Sequence, residues 1–210
     1  REKNKILKLY NKKTKLYPNA ITINQKKFLK NIYQDYIIYS GSYLYKPNKD
    51  AIDFLNQEIM PVITKKFPKI KLLLTGGGYK EKFPWLINKG IVPKKELYNL
   101  IYNSKFMCVP LRFGSGTRIK IIEALSLGTI VISTSKGIEG IKIYKKNPPF
   151  VANSKIKMIK LIYKTLKNFN EIKKKSIERK NFYNKNYSMK NITDRFIKSN
   201  LIEYFDEFKN

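Results

Sequence analysis

The chain of 210 residues carries 44 lysines and arginines against 15 acidic residues, a formal net charge of +29, and has no histidine. The missing imidazole excludes a Ser-His-Asp triad, a Cys-His pair or a histidine-based metal site built from this chain alone. The single cysteine, Cys108, excludes an internal disulfide. A hydrophobic share of 42% with 13% aromatics is that of a globular chain. No apolar run has the length of a membrane span, and the opening REKNKILKLYNKK lacks the apolar core of a secretory signal. With one thiol, set in an apolar strand, the chain suits a reducing compartment, so a cytoplasmic location is expected. The charge has two readings. One is an acidic partner, such as nucleic acid, an anionic membrane surface or a charged glycan. The other is codon bias, since Lys, Asn, Ile and Tyr are all abundant and the lysines are spread out rather than gathered in a block.

In chain order, residues 1–15 read as a basic, helical or frayed segment. Residues 16–23, LYPNAITI, form an extended piece with a turn at Pro18-Asn19, and 25–35 form a linker. The run YIIYS at 36–40 predicts a first strand ending in Gly41-Ser42. Ile52, Leu55, Ile59 and Ile63 recur at helical spacing and predict a helix over 48–66, kinked or restarted at Pro61. The near-continuous apolar run at 70–75 predicts a second strand covered on both faces. It ends in Gly76-Gly77-Gly78, either a ligand rim or a flexible turn.

A third strand is predicted at 90–92, stopped by Pro93. A helix follows over 94–104, with Leu97, Leu100 and Ile101 facing inward. The fourth strand is 106–109 and the fifth 129–134. The GIEGI loop at 137–141 either reaches a ligand through Glu139 or leaves that carboxylate solvated. A short strand at 150–152 precedes a helix over 155–168 capped by Ser154. Further helices are expected over 171–184 and 189–208, the last with an apolar stripe of Ile192, Phe196, Leu201, Phe205 and Phe208. Strands alternating with helices predict an α/β fold, a doubly wound parallel sheet closed by a C-terminal crossover helix. Ligands of such sheets bind beyond the carboxyl ends of the strands. The loops at Gly41, Gly76 and Gly114 all fall there.

The stretch from Val109 to Gly128, VPLRFGSGTRIKIIEALSLG, is the chemical focus. Pro110 ends a strand, Gly114-Ser115-Gly116 makes a turn, and a helix follows without a breaker until Gly128. A glycine turn feeding a helix leaves backbone N–H groups unpaired at its positive end, where an anion binds well. At 100° per residue Gly116, Lys120 and Glu123 share one face, while Arg118 points almost opposite to Lys120. The open face thus presents bare backbone, a cation and a carboxylate. A nucleoside diphosphate could be matched in that order: phosphates at the amides and Lys120, ribose hydroxyls at Glu123. The alternative is an ordinary helix with a solvated Lys120–Glu123 pair.

The string PLRFGSGTRIKIIEALSLGTIVIST…GIEGI resembles the signature of the C-terminal domain of GT-B fold glycosyltransferases of the family 4 type. That family carries a Glu, seven residues, then a second Glu followed by Ala. Glu123-Ala124 matches the second, ribose-binding Glu, while the first falls on Ser115. A sub-group reads GSGTR here. The resemblance covers about residues 36–141 and implies transfer of a sugar from a UDP-sugar or GDP-sugar, usually with retention and without a metal or other cofactor. It places the nucleobase near Val92; Gly76 and Gly78 join the candidate site through their strand-end position. The family's Arg after the first-strand glycine stands here as Ser42, and its Lys falls near Pro47, beside Lys46. The charge that holds the diphosphate would then come from Lys120 and Arg118, together with the Gly116-Thr117 amides.

On this resemblance residues 1–34 end an N-terminal domain and its linker. Residues 35–188 bind the nucleotide sugar, and 189–210 cross back toward the missing N-terminal GT-B domain. Acceptor binding, whether of glycan, lipid or protein, belongs to that absent half, so this chain alone would bind donor and turn over little. Two rivals stand beside this reading. A basic nucleic-acid-binding module would show clustered Lys/Arg, which is not evident. A GT-B-like epimerase or phosphorylase would need catalytic groups that the sequence does not display.

Overall fold

A computed structural model describes residues 17–23 and 34–207, with side chains as far as residue 199. The expectations for 1–15, for most of 25–35 and for Phe208 lie outside the described residues, as do the side chains of Leu201 and Phe205. The chain divides into two compact units, residues 23–184 and residues 1–22 with 185–210.

The larger unit is built on six parallel strands: β1 (Tyr36–Ser40), β2 (Lys71–Thr75), β3 (Leu86–Asn88), β4 (Phe106–Val109), β5 (Val131–Ser133) and β6 (Phe150–Val151). Their order in the sheet is β3-β2-β1-β4-β5-β6. The registers run Ile37↔Leu72 on one side of β1 and Ile37↔Phe106 on the other. The runs YIIYS, KLLLT and FMCV are apolar without alternation because both faces of the sheet are covered. Ile37, Ile38, Tyr39, Phe106, Met107, Cys108 and Val109 are wholly buried, and burial pushes the Cys108 thiol up to about 12. The chain steps outward from β1 in one direction and from β4 in the other. The order therefore reverses between β1 and β4, where doubly wound sheets open a crevice.

The helix expected over 48–66 is interrupted: α1 (Lys46–Asp53), one wide π turn (Phe54–Ile59), then α2 (Met60–Lys66). Pro61 has no N–H and its ring crowds the carbonyl four residues back, so the backbone widens. The Met60 N–H accordingly reaches the Leu55 carbonyl. Next come α3 (Lys94–Asn103), α4 (Ile119–Ser126), α5 (Lys155–Lys167), α6 (Phe169–Glu178) and α7 (Lys180–Tyr187). The Ser154 hydroxyl accepts from the Lys157 N–H at 3.3 Å and caps α5. The helix expected over 171–184 breaks at Arg179 into α6 and α7.

Two expectations are corrected. The third strand is Leu86–Asn88, not 90–92, because Gly90 adopts φ +61° and turns the chain off the sheet. Within α3 the wholly covered positions are Tyr98 and Ile101, while Leu97 and Leu100 are only half-buried.

In the smaller unit the Ile21 N–H bonds the Tyr187 carbonyl at 2.8 Å, and the Met189 N–H bonds the Ile21 carbonyl at 2.9 Å. Helix α8 (Met189–Glu207) follows. Ile192 is buried, whereas Phe196 is half exposed and meets the Tyr17 ring edge-on at 5.2 Å.

Candidate functional site

At the carboxyl ends of β1 and β2 the loops are tied together by their backbones. The Gly41 N–H bonds the Thr75 carbonyl at 2.8 Å, Tyr43 N–H bonds Gly77 at 2.9 Å, and Gly76 N–H bonds Gly90 at 2.7 Å. A Cβ on Gly76, at φ +116°, would lie 2.4 Å from the Gly41 carbonyl oxygen, so only glycine lets these loops touch. The Ser42 carbonyl accepts from Asn48 Nδ2 at 2.9 Å, which fastens the β1 loop to α1.

Lys120, in the first turn of α4, reaches across the sheet's switch point to the same place. Its Nζ lies 2.9 Å from Asn48 Oδ1, 3.2 Å from the Tyr39 hydroxyl and 4.3 Å from the centre of the Tyr39 ring. The Tyr39 hydroxyl in turn donates to Asn48 Oδ1 at 2.7 Å. A Cβ on Gly41 would sit 2.6 Å from Lys120 Nζ, so that glycine makes room for the ammonium. Burial, with the Arg118 cation nearby, pulls the Lys120 pKa down to about 7. Among the described residues no carboxylate neutralises this lysine; its partners are an amide oxygen and a phenol.

The turn at 114–116 does not run straight into the helix. Gly116 adopts φ +83° and α4 begins only at Ile119, so Gly116 is not on a helical face with Lys120 and Glu123. Arg118, at φ −85° and ψ 77°, is not yet helical. The 100° count therefore does not apply to it, and it is not turned away from Lys120. Its guanidinium folds back on the turn and donates to the Gly114 carbonyl at 2.9 Å, to Ser115 at 2.6 Å, and to Gly116. Gly41, Ser115, Thr117, Arg118 and Lys120, with Pro47 and Asn48, line a cavity of about 230 Å³ beside this turn.

Glu123 lies a turn further along α4, outside that cavity, and is buried. Its Oε1 accepts from the Tyr98 hydroxyl at 2.9 Å. Burial raises its pKa, while the Tyr98 hydrogen bond and the Lys94 ammonium oppose that rise. Val92 is half-buried on the loop just before α3, beside the exposed Ile91, whose Cδ1 would lie 3.4 Å from a Cβ on Gly77. Gly78 is exposed, with Leu44 over it. Glu139 forms a surface ion pair with Lys136 at 2.5 Å.

Three residues of the site were not foreseen. Tyr39 and Asn48 hold Lys120, and Tyr98 holds Glu123. A signal existed for Asn48, which stands one place after Pro47, where the family's lysine falls. A buried tyrosine at the carboxyl end of β1 was a second. Among the described residues no group of three His, Cys, Asp or Glu side chains stands close enough to hold a metal ion.

The model of the family described as "Glycosyl transferases group 1" matches residues 34–168. No curated protein matches the chain. Among solved structures, S. aureus TarM, as a mutant with fondaparinux, alpha-GlcNAc-glycerol and UDP, is 14% identical with a TM-score of 0.71, covering 94% of this chain and 41% of that one. Sucrose-phosphate synthase from Thermosynechococcus elongatus is 14% identical with a TM-score of 0.67, covering 97% and 56%. Anabaena HepE, in complex with UDP and glucose, is 10% identical with a TM-score of 0.61, covering 80% and 48%. This chain thus spans about half the length of each of these three structures. Those likenesses carry the fold, a Rossmann-like sheet of the GT-B glycosyltransferases. The family match over 34–168, most of it the sheet and the loops just described, makes this chain a member of the glycosyl transferases group 1.

Proposed function

We propose that this domain binds the nucleoside diphosphate of a sugar donor, and that in the whole enzyme it serves metal-independent, retaining transfer of a hexose to an acceptor. One observation carries the reading: an ammonium with no carboxylate partner among the described residues stands at the sheet's switch point, in the wall of a cavity also lined by Gly41, Ser115 and Thr117. The donor diphosphate sits against Lys120, the Gly41-Ser42 backbone and the Ser115–Thr117 loop. Arg118 braces that loop and adds its charge. As the sugar–phosphate bond breaks, negative charge grows on the leaving diphosphate, and a cation already in place stabilises it without reorganisation. Glu123 takes the ribose hydroxyls once Tyr98 yields, and the Val92 loop, with Gly76-Gly78 opposite, meets the base.

UDP is the favoured nucleotide, because two solved relatives of the fold were captured with it. A cytoplasmic location, with the basic surface resting on anionic membrane, fits the charge of +29. Calorimetric titration with UDP and GDP tests the reading. UDP should bind one to one, and Lys120→Ala should abolish the heat. Equal binding by parent and variant would remove Lys120 from the site, and no binding of either nucleotide would remove the proposal.

A further inference from the structure

The turn at 114–116 is shaped by one arginine and placed by another. Arg118 braces it from inside, because the carbonyls it bonds, on Gly114, Ser115 and Gly116, belong to the turn itself. Such a brace fixes the form of the turn. It does not fix the distance from the turn to Lys120 Nζ, which Asn48 holds over on α1. Placement needs a tie to α1, and Arg112 supplies one. Its Nε donates to Asp50 Oδ2 at 2.8 Å, and its Nη2 donates to Asp50 Oδ1. The carbon of its guanidinium lies 5.4 Å from the centre of the Phe54 ring.

Just beyond Arg112 the turn touches the same helix. A Cβ on Gly114, at φ +104°, would lie 2.9 Å from Pro47 Cγ. Pro47, Asp50 and Phe54 follow at helical spacing, so one side of α1 and the start of its π turn carry all three contacts. On the strand side the Thr134 hydroxyl donates to the Leu111 carbonyl and holds the base of the segment. Between Leu111 and the start of α4 at Ile119, the Arg112–Asp50 pair is, among the described residues, the only ion pair or side-chain hydrogen bond joining this segment to α1. A bidentate guanidinium–carboxylate pair fixes direction as well as distance. Arg112 is half exposed, and a pair in such a place adds little to folding stability.

We propose that Asp50 is a positioning residue for donor binding. Through Arg112 it sets the 114–117 turn against α1, the helix whose Asn48 holds Lys120, so that turn and ammonium meet one diphosphate together. The proposal rests on the reading of this crevice as a donor site. Asp50 itself does not touch the donor. Without its carboxylate the turn is free to drift from Lys120, and ordering it again costs affinity.

The test is a double-mutant cycle on the chain, read by calorimetric titration with UDP and by melting temperature. Asp50→Asn and Arg112→Ala should each weaken UDP binding about tenfold with little change in melting temperature. The double variant should bind no more weakly than either single one, because both remove the same bond. Asp50→Glu, which keeps a carboxylate, should recover most of the loss. Unchanged affinity in Asp50→Asn, losses that add in the double variant, a Glu no better than Asn, or a melting temperature that falls along with the affinity each overturn the proposal. A loss in Arg112→Ala with none in Asp50→Asn makes Arg112 a donor contact and overturns it as well. Amide order parameters need no nucleotide and so separate this proposal from the donor reading. Those of Gly114, Ser115 and Gly116 should fall toward about 0.6 in Asp50→Asn. Values equal to the parent's overturn the proposal. A parent that binds no UDP removes the donor reading alone, and the order parameters then decide whether Asp50 places the turn.

Discussion

Lys120 shows how one side chain's surroundings set its chemistry. Its pKa stands at about 7 against an ordinary 10.5, so near neutral pH it is only partly charged. A phosphate anion beside it favours the ammonium, so UDP binding above pH 7 should draw a proton from the buffer. Affinity should then fall as pH climbs past 7. Calorimetry in two buffers of different ionisation enthalpy reads this; heats that do not depend on the buffer would mean the lysine takes up no proton on binding. In the full-length enzyme Lys120→Ala should lower kcat by about 10²–10³, the usual cost of removing one group that stabilises developing charge. Glu123→Gln keeps the shape and the Tyr98 contact but loses a charged acceptor, so UDP binding should weaken by about 1.5–3 kcal/mol with little change in melting temperature. Unchanged affinity would leave Glu123 as a buried partner of Tyr98 and no more.

At the scale of elements, the site is a meeting of loops, and its tolerances are those of backbone against backbone. Gly76→Ala would force a Cβ to within 2.4 Å of the Gly41 carbonyl at a φ of +116°. The strained backbone alone costs about 1–3 kcal/mol. The variant should lose stability and nucleotide binding together, whereas Gly116→Ala, with open space around its Cβ, should keep more of both. Thermal melts with and without UDP compare the two. The last helices carry a second tolerance. Lys173 is buried, with a pKa near 7, and donates to the Gly128 carbonyl at 3.0 Å, an acceptor it shares with the Ser176 hydroxyl at 2.6 Å. A lysine whose folded pKa is depressed binds its proton more weakly folded than unfolded. Its penalty is full below pH 7 and fades between about 7 and the unfolded value of 10.5. The melting temperature should therefore rise from pH 7 to pH 9. Lys173→Met should flatten that rise, and a slope identical in the two proteins would show that Lys173 does not titrate there.

Over the whole molecule, the charge of +29 and the sheet order answer different questions. The charge says what the surface attracts; the order says where a ligand enters. Much of the architecture was legible in the residues. Unbroken apolar runs such as KLLLT and FMCV can only be strands covered twice, and Pro61 had to disturb its helix, because both follow from local chemistry. The glycines at 41, 76 and 114 were legible as strand-end loops for the same reason. What stayed hidden were matters of distance along the chain. Gly90 against Gly76, Asn48 beneath Lys120 and Tyr98 on Glu123 are partners joined only when the sheet forms, and no periodicity within one segment carries them. The start of α4 was hidden too, since Arg118 bends back onto three carbonyls and delays the helix to Ile119. Residue types and local spacing thus determined the α/β class, the strand-end loops and the family signature, because each depends on neighbours a few positions apart. Only the tertiary structure decided which groups surround Lys120 and Glu123, and so what charge each carries, because burial and field belong to the packed chain.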